Sequence, residues 1–130
     1  MKNLINLEVR NNEIIIDATD QIVGRLASWI AAKLIGKDRI DFFPGKNFNC
    51  RVIVKNVEKI RFTGKKEEKK IYWRHSGFPG GIYQTNPSKL RQNYPERILY
   101  FAVRGMLPKG PLGSKILKRL YINIKRKELC

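Results

Sequence analysis

Apolar residues in this chain fall either in short continuous runs or at a helical period. Glu13–Ile16 and Arg51–Lys55 each hold a β-branched run without alternation, which is typical of strands buried on both faces of a parallel sheet. Between them, Leu26, Ile30 and Leu34 recur every four residues and predict the apolar face of a helix. The order strand, helix, strand favours an α/β fold with a mostly parallel sheet. Buried positions are expected at Ile15, Leu26, Ile30 and Ile53.

Capping and turn residues predict where the other elements begin and end. Asp17, Thr19 and Asp20 offer oxygens that can cap the first helix, which runs to about Leu34, and Gly36 is suited to close it. Later helices are predicted from Asn86-Pro87, from Tyr94-Pro95-Glu96 to about Met106, and from about Pro111 to Leu120. Strands are predicted at Lys59–Thr63, Lys70–Arg74 and Tyr121–Ile124, and a charged turn at Gly64–Glu68. No repeat or linker divides the chain, so we expect one domain over residues 1–130, with an arm or short edge element at 1–12 and a short basic tail at 125–130.

The net charge of the chain indicates which kind of partner it binds. The chain has 27 Lys and Arg residues against 11 Asp and Glu, a formal net charge of +16, while 42% of its residues are hydrophobic. That hydrophobic fraction predicts a packed core rather than a disordered tail. A folded domain this basic is expected to bind a polyanion. Nucleic acid is favoured over a membrane, because no apolar run approaches the roughly 18 residues needed to span a bilayer.

The segment Ala102–Leu120 contains the strongest candidate site. Pro108-Lys109-Gly110-Pro111 cannot be helical throughout and predicts a rigid turn. No Asp or Glu lies between Arg97 and Lys127, so every charged residue near the turn in sequence is a cation. The candidate contacts here are Arg104, Lys109, Lys115, Lys118 and Arg119. The alternative is a solvated cationic helix that aids solubility only.

Two further groups of residues are candidates for contacts with RNA. The loop His75–Gly81, HSGFPGG, has glycines that let backbone N–H groups approach a phosphate, or that serve a tight turn with positive φ at Gly80 or Gly81. Its candidate contacts are Arg74, His75, Gly77, Gly80 and Gly81. The first helix adds Arg25, Lys33 and Lys37, a face that ordinary solvation explains equally well.

Aromatic residues surround the HSGFPGG loop. Tyr72, Trp73, Phe78 and Tyr83 are available to stack on unpaired bases or to pack in a core. Because Tyr72 and Trp73 alternate along a strand, one of the two is expected to be buried. Trp29, between the apolar and basic faces of the first helix, is expected at the edge of the core.

These residues give little support for an enzymatic function. His75 is the only histidine, and the adjacent Ser76 is poorly placed for a base to activate. Cys50 and Cys130 form no C-x-x-C pattern, and no Walker motif occurs. We therefore expect no catalytic residue, metal or cofactor. The rival hypotheses are an enzyme that acts on RNA, which would need such groups, and a translational regulator that binds messenger RNA.

Four segments of the chain resemble the ribosomal protein L13 (uL13) family in its bacterial and organellar form. They are DATDQIVGRLASWIAAKLIGKD (17–38), VIVKNVEKIRFTGKK (52–66), YWRHSGFPGGI (72–82) and PERILYFAVRGMLPKGPLGSKILKRLYI (95–122). The resemblance implies a three-layer α/β/α domain with a mostly parallel four-stranded sheet and no enzymatic activity. It also implies binding to large-subunit rRNA early in assembly, beside neighbouring large-subunit proteins. The expected location is the large ribosomal subunit, in the bacterial cytoplasm or an organelle.

The net charge leads to a first prediction, which concerns salt. If about six to eight phosphates are contacted, the slope of log affinity for cognate RNA against log salt should be on the order of −4 to −7, because each contact releases counterions. Filter binding at several salt concentrations measures this slope. A flat response would contradict a polyanionic partner.

Overall fold

The computed structural model describes residues 7–10 and 12–124. In chain order its strands and helices are β1 Leu7–Arg10, β2 Glu13–Asp17, α1 Val23–Ile35, β3 Arg51–Lys55, α2 Lys66–Lys69, β4 Tyr72–His75, β5 Ile82–Thr85, α3 Pro87–Asn93, α4 Glu96–Met106, α5 Pro111–Leu117 and β6 Leu120–Ile122. Part of the predicted arm, residues 1–6 and 11, and the predicted tail, 125–130, lie outside the described residues.

The main sheet has the strand order β1-β2-β3-β6. β2, β3 and β6 are parallel, while β1 pairs antiparallel with β2 and forms an edge. The α/β class is confirmed, and the main sheet has four strands, of which three are parallel and the edge strand β1 is antiparallel. β4 and β5 form a separate antiparallel hairpin, so the strand predicted at Lys70–Arg74 belongs to another sheet.

Only one face of the main sheet is fully buried. Ile16, Val52 and Val54 lie on that face, under the helices. Ile15 and Ile53 form a register pair on the opposite face and are half-buried, so the prediction that both are core residues is wrong. The buried residues that α1, α3, α4 and α5 contribute belong to one cluster with Ile16, Val52 and Val54. The three-layer arrangement stays a prediction.

Two amphipathic helices supply most of the core above this face. Leu26, Ile30 and Leu34 of α1 are buried as their spacing predicts. Gly36 ends α1 with φ +85° and donates its N–H to the carbonyl of Ala32 at 3.0 Å. The other core residues contributed by the helices are Val23, Ala27 and Ala31 of α1, Leu90 of α3, Ile98, Leu99 and Val103 of α4, and Ile116 of α5. Trp29 packs half-buried against this cluster, as expected.

Several local predictions were wrong in the middle of the chain. The strand predicted at Lys59–Thr63 is instead a 3₁₀ turn at Val57–Lys59 followed by an isolated bridge between Ile22 and Arg61. The charged turn predicted at Gly64–Glu68 contains the short helix α2. The strand β5 was not predicted, because Ile82–Thr85 is short and its side chains are largely exposed.

The N-terminus of α1 lies later than its capping residues suggested. The helix begins at Val23, and Asp17 instead organises the preceding turn. Asp17 Oδ1 accepts hydrogen bonds from the Thr19 hydroxyl at 2.6 Å, the Thr19 N–H at 3.0 Å and the Asn56 amide at 3.1 Å. These bonds lower the pKa of the Asp17 carboxyl below its ordinary value, and the bond from the Thr19 hydroxyl has the largest effect. Asp17 thus joins the end of β2 to the residue that follows β3.

Replacing this carboxylate should destabilise the fold in a pH-dependent way. Asp17→Asn should lower the free energy of unfolding by about 1–2 kcal/mol near neutral pH, since charged acceptors make the stronger bonds. Because the folded-state pKa is lowered, this stabilisation is present above the unfolded-state pKa of the carboxyl. It is lost as the pH falls through the folded-state value. Urea unfolding across the acidic range measures both effects.

The matched control for this experiment is Asp20→Asn. Asp20 is exposed and has a left-handed φ of +56°, which Asn tolerates well. This variant should unfold like the unmodified chain. A pH-independent cost of Asp17→Asn would mean that charge plays no part in the turn.

Candidate nucleic-acid interface

The turn between α4 and α5, Leu107–Gly110, is held rigidly at both ends and is called the basic turn below. Leu107 is buried and donates its N–H to the Val103 carbonyl at 3.1 Å. At the other end, the N–H and hydroxyl of Ser114 donate to the Gly110 carbonyl at 3.1 and 3.2 Å. Gly110 has φ +106°, and a Cβ on Gly113 would overlap the Pro108 carbonyl oxygen. Lys109 is therefore exposed on an ordered backbone.

The cations predicted around the basic turn do not all have the same environment. Arg104, Lys109, Lys115 and Lys118 are exposed. Arg119 is half-buried, and its Nη1 is enclosed with no hydrogen-bond partner in the described part of the chain. Four side chains are thus accessible to an anion at the surface, whereas part of the Arg119 guanidinium is buried in the protein.

The HSGFPGG loop closes the β4–β5 hairpin and uses several of its own polar groups. Gly77 donates its N–H to His75 Nδ1 at 2.8 Å, Ser76 donates to the Gly81 carbonyl at 2.9 Å, and Gly81 donates to the Phe78 carbonyl at 3.0 Å. These three amides are not available to a phosphate. Gly80 has the positive φ expected of a turn, +71°, while at Gly81 a Cβ would overlap the Ser76 hydroxyl.

The hairpin and α4 enclose a groove of about 690 Å³ that joins two of the predicted groups of residues. Arg74 reaches it from β4 and Arg104 from the last turn of α4. Arg104 also lines a smaller cleft of about 170 Å³ at the basic turn. We call the larger cavity the aromatic groove; it is lined by Tyr72, Trp73, Arg74, Thr85, Leu90, Glu96, Arg97, Tyr100, Phe101, Arg104, Leu120 and Ile122.

The aromatic residues near the loop divide as the alternation of β4 predicts. Tyr72 is half-buried against the core and against Phe101, with ring centroids 5.8 Å apart. Burial, followed by the Glu67 carboxylate, raises the pKa of its hydroxyl. Trp73 is 64% exposed on the opposite side of the strand, and Phe78 and Tyr83 are exposed as well.

The predicted residues of α1 belong to a different part of the surface. Lys33 forms an ion pair with Asp38 at 2.5 Å and lies 5.2 Å from the centre of the Trp29 ring. Arg25 lines a cleft of about 280 Å³ beside Phe62, and Lys37 is exposed. Neither Lys33 nor Arg25 lines the aromatic groove, so this group is not joined to the basic turn through it.

Arg97, Tyr100 and Phe101 line the groove but were not predicted as site residues. With Arg104 they follow one another at i, i+3, i+4 and i+7 along α4, which places them on one helix face. The helical spacing of these two arginines and two aromatic residues could have been recognised in the sequence. It was missed because Ile98, Leu99 and Val103, on the opposite face, explained the helix completely as a core element.

Neither a metal site nor an activated cysteine thiol is found among residues 7–10 and 12–124. Residues 7–10 and 12–124 hold no group of three or more His, Cys, Asp or Glu side chains able to ligate a metal ion. Burial and the nearby Asp38 raise the pKa of the Cys50 thiol, the opposite of what a nucleophile needs. Within those same residues, no helix is long and apolar enough to cross a bilayer.

A small α/β domain that presents exposed lysines, arginines and aromatic rings is typical of proteins that bind a polyanion. The chain belongs to the ribosomal protein L13 family, whose sequence profile matches residues 11–127. It is 50% identical over 113 residues to large ribosomal subunit protein uL13 of Azoarcus sp. (strain BH72), covering 87% of this chain and 80% of the relative. The uL13 proteins of Dechloromonas aromatica, 51% identical over 113 residues, and Cupriavidus metallidurans, 48% over 115, are similar over comparable shares.

The close approach at Gly113 leads to a prediction about the basic turn. Gly113→Ala should destabilise the protein by at least about 1 kcal/mol, because the new methyl group would meet the Pro108 backbone rather than a flexible side chain. The matched control is Gly105→Ala in α4, where nothing lies within 4 Å and alanine should stabilise the helix by about 0.5–1 kcal/mol. Thermal unfolding compares the two. Equal effects would show that α5 does not pack on Pro108.

Proposed function

We propose that this protein is a structural component of the large ribosomal subunit that binds large-subunit rRNA and supports early subunit assembly. The observation that carries the proposal is the match to the L13 family over residues 11–127. The family is structural and not enzymatic. The exposed cations on the basic turn and along the aromatic groove supply the chemistry that binding to RNA requires.

In this proposal, the fold acts by holding positive charge in a fixed arrangement. Lysine and arginine neutralise phosphates where RNA segments converge, and the shape of the RNA decides whether all contacts form together. The proposed contacts are Arg25, Lys33, Lys37, Arg74, His75, Gly77, Gly80, Gly81, Arg104, Lys109, Lys115, Lys118 and Arg119. Gly77 and Gly81 would contribute by close approach of the backbone and not through their N–H groups, which already donate within the loop. Lys109 would lose little backbone freedom on binding, because its backbone is already held by the contacts of Leu107 and Gly113.

The partners we propose are large-subunit rRNA and neighbouring proteins of the same subunit. We take residues 1–130 as a single RNA-binding domain located on the large subunit. The match to L13 gives no support to messenger RNA as a partner, so that alternative is not carried further. An enzyme acting on RNA is also disfavoured, because the L13 family that the chain matches is structural and not enzymatic.

Charge reversal beside the basic turn tests the proposal. Lys115→Glu with Lys118→Glu should leave the unfolding midpoint nearly unchanged, since both side chains are exposed. It should nevertheless prevent incorporation into large subunits, because two phosphate contacts become repulsive. Sucrose-gradient sedimentation of reconstituted subunits measures incorporation. We leave Arg119 unchanged here, because its half-buried side chain would confuse loss of contact with loss of folding.

Lys65→Glu with Lys69→Glu provides the control with the same change in net charge. Both residues are exposed beside α2, on a shallow surface that does not include the basic turn. This control should be incorporated far better than the first variant. Normal incorporation of Lys115→Glu/Lys118→Glu would remove the basic turn from the interface, and equal loss in both variants would mean that only total charge matters.

A further inference from the structure

The aromatic groove leaves more aromatic surface exposed than the packing of the core requires. Tyr72, Phe101 and Tyr100 form a continuous wall, with neighbouring ring centroids 5.8 and 6.1 Å apart. Trp73 stands beside them with 64% of its surface exposed, and Tyr100 and Phe101 are 37% and 38% exposed. Flat rings that remain open to solvent in a concave site are suited to stacking with another flat group.

The charge around this wall favours an anionic ligand with a planar part. Arg74, Arg97 and Arg104 all line the groove. Among the described residues, none of the three forms an ion pair with a carboxylate; Arg97 instead stacks on Tyr94, with Cζ 4.3 Å from the ring centre. An apolar protein segment would leave these three charges without a counterpart, whereas the phosphates of a nucleotide would not.

One acceptor at the groove also lacks a donor. Glu96 lines the cavity, and its Oε2 has no hydrogen-bond partner in the described structure. Because neighbouring atoms cover that oxygen, the side chain must rotate to present it to a ligand in the groove. Leaving such an oxygen unpaired costs free energy, which a donor on a ligand would recover. The edge of a nucleobase carries N–H donors of this kind, and guanine presents two side by side, N1–H and the 2-amino group, in a geometry that matches a carboxylate.

Building on the proposed function, we propose that the aromatic groove binds one unpaired nucleotide of the RNA, with guanine as the preferred base. The base stacks on the wall formed by Tyr72, Phe101 and Tyr100. Glu96 accepts hydrogen bonds from the base edge, and the three arginines contact the flanking phosphates. The volume of about 690 Å³ accommodates a nucleotide.

A titration of the unmodified chain with short single-stranded RNAs tests this directly. The probes are UUGUU and UUUUU, followed by the indole N–H signals of Trp73 and Trp29 in nuclear magnetic resonance spectra. UUGUU should shift the Trp73 signal and leave that of Trp29, on α1, in place. It should bind about ten-fold more tightly than UUUUU, because uracil offers the carboxylate a single donor. Equal affinities, or no shift at Trp73, would overturn the proposal.

Two variants separate the stacking contact from recognition of the base. Tyr100→Ala should weaken binding of both RNAs by about five- to a hundred-fold. The matched control, Tyr121→Ala, removes an exposed tyrosine of β6 that does not line the groove and should have no effect. Glu96→Gln should abolish the preference for UUGUU while retaining stacking. A preference that survives Glu96→Gln would contradict the role of the carboxylate.

Failure of this inference can be told apart from failure of the proposed function. If Tyr100→Ala incorporates normally and binds rRNA normally, while Lys115→Glu/Lys118→Glu does not, the protein still functions on the ribosome and the groove takes no nucleotide. If Tyr100→Ala keeps its rRNA affinity but loses association with other large-subunit proteins, the groove binds a protein segment, which also overturns the inference. If neither variant loses rRNA binding, the proposed function itself is contradicted.

Discussion

The packing of α4 between the core and the surface is the constraint on which the rest of the structure depends. Ile98, Leu99 and Val103 are fully buried against α1 and the sheet. Their burial sets the rotation of the helix about its axis. Because side chains on a helix have fixed relative directions, the same contact determines where Arg97 and Arg104 lie. The core and the candidate interface are thus two faces of one helix.

Arginines illustrate why net charge alone does not identify an interface. Arg91 makes two hydrogen bonds to the Glu67 carboxylate, at 2.7 and 3.0 Å, and donates Nη1 to the carbonyls of Glu58 and Ile60. It therefore ties α3 to α2 and to the 3₁₀ turn, and its charge is neutralised within the fold. Arg104 has no such partner among the described residues and faces two cavities. Arg119 lies between these cases, because its side chain is half-buried.

Two ordered loops give Lys109 and His75 a defined position before any ligand arrives. The basic turn is held by Gly113 against Pro108, and the HSGFPGG loop by its own backbone bonds and by His75. Ordering flexible side chains on a flexible backbone would cost free energy at the moment of binding. A preformed surface avoids part of that cost and restricts the partners to those whose phosphates match its geometry.

Local patterns in the sequence were sufficient for α1, β2, β3, α4 and the basic turn, because periodicity, glycine and proline act over a few residues. They were also sufficient to single out Arg74 and Arg104. They did not reveal that those two arginines meet in one groove, since that depends on the β4–β5 hairpin packing beside α4. They likewise misplaced Ile15 and Ile53, because a continuous apolar run does not show that helices will cover only one face of the sheet. Long-range packing decides such questions, and in this chain it assembled the aromatic groove from segments that are far apart in sequence.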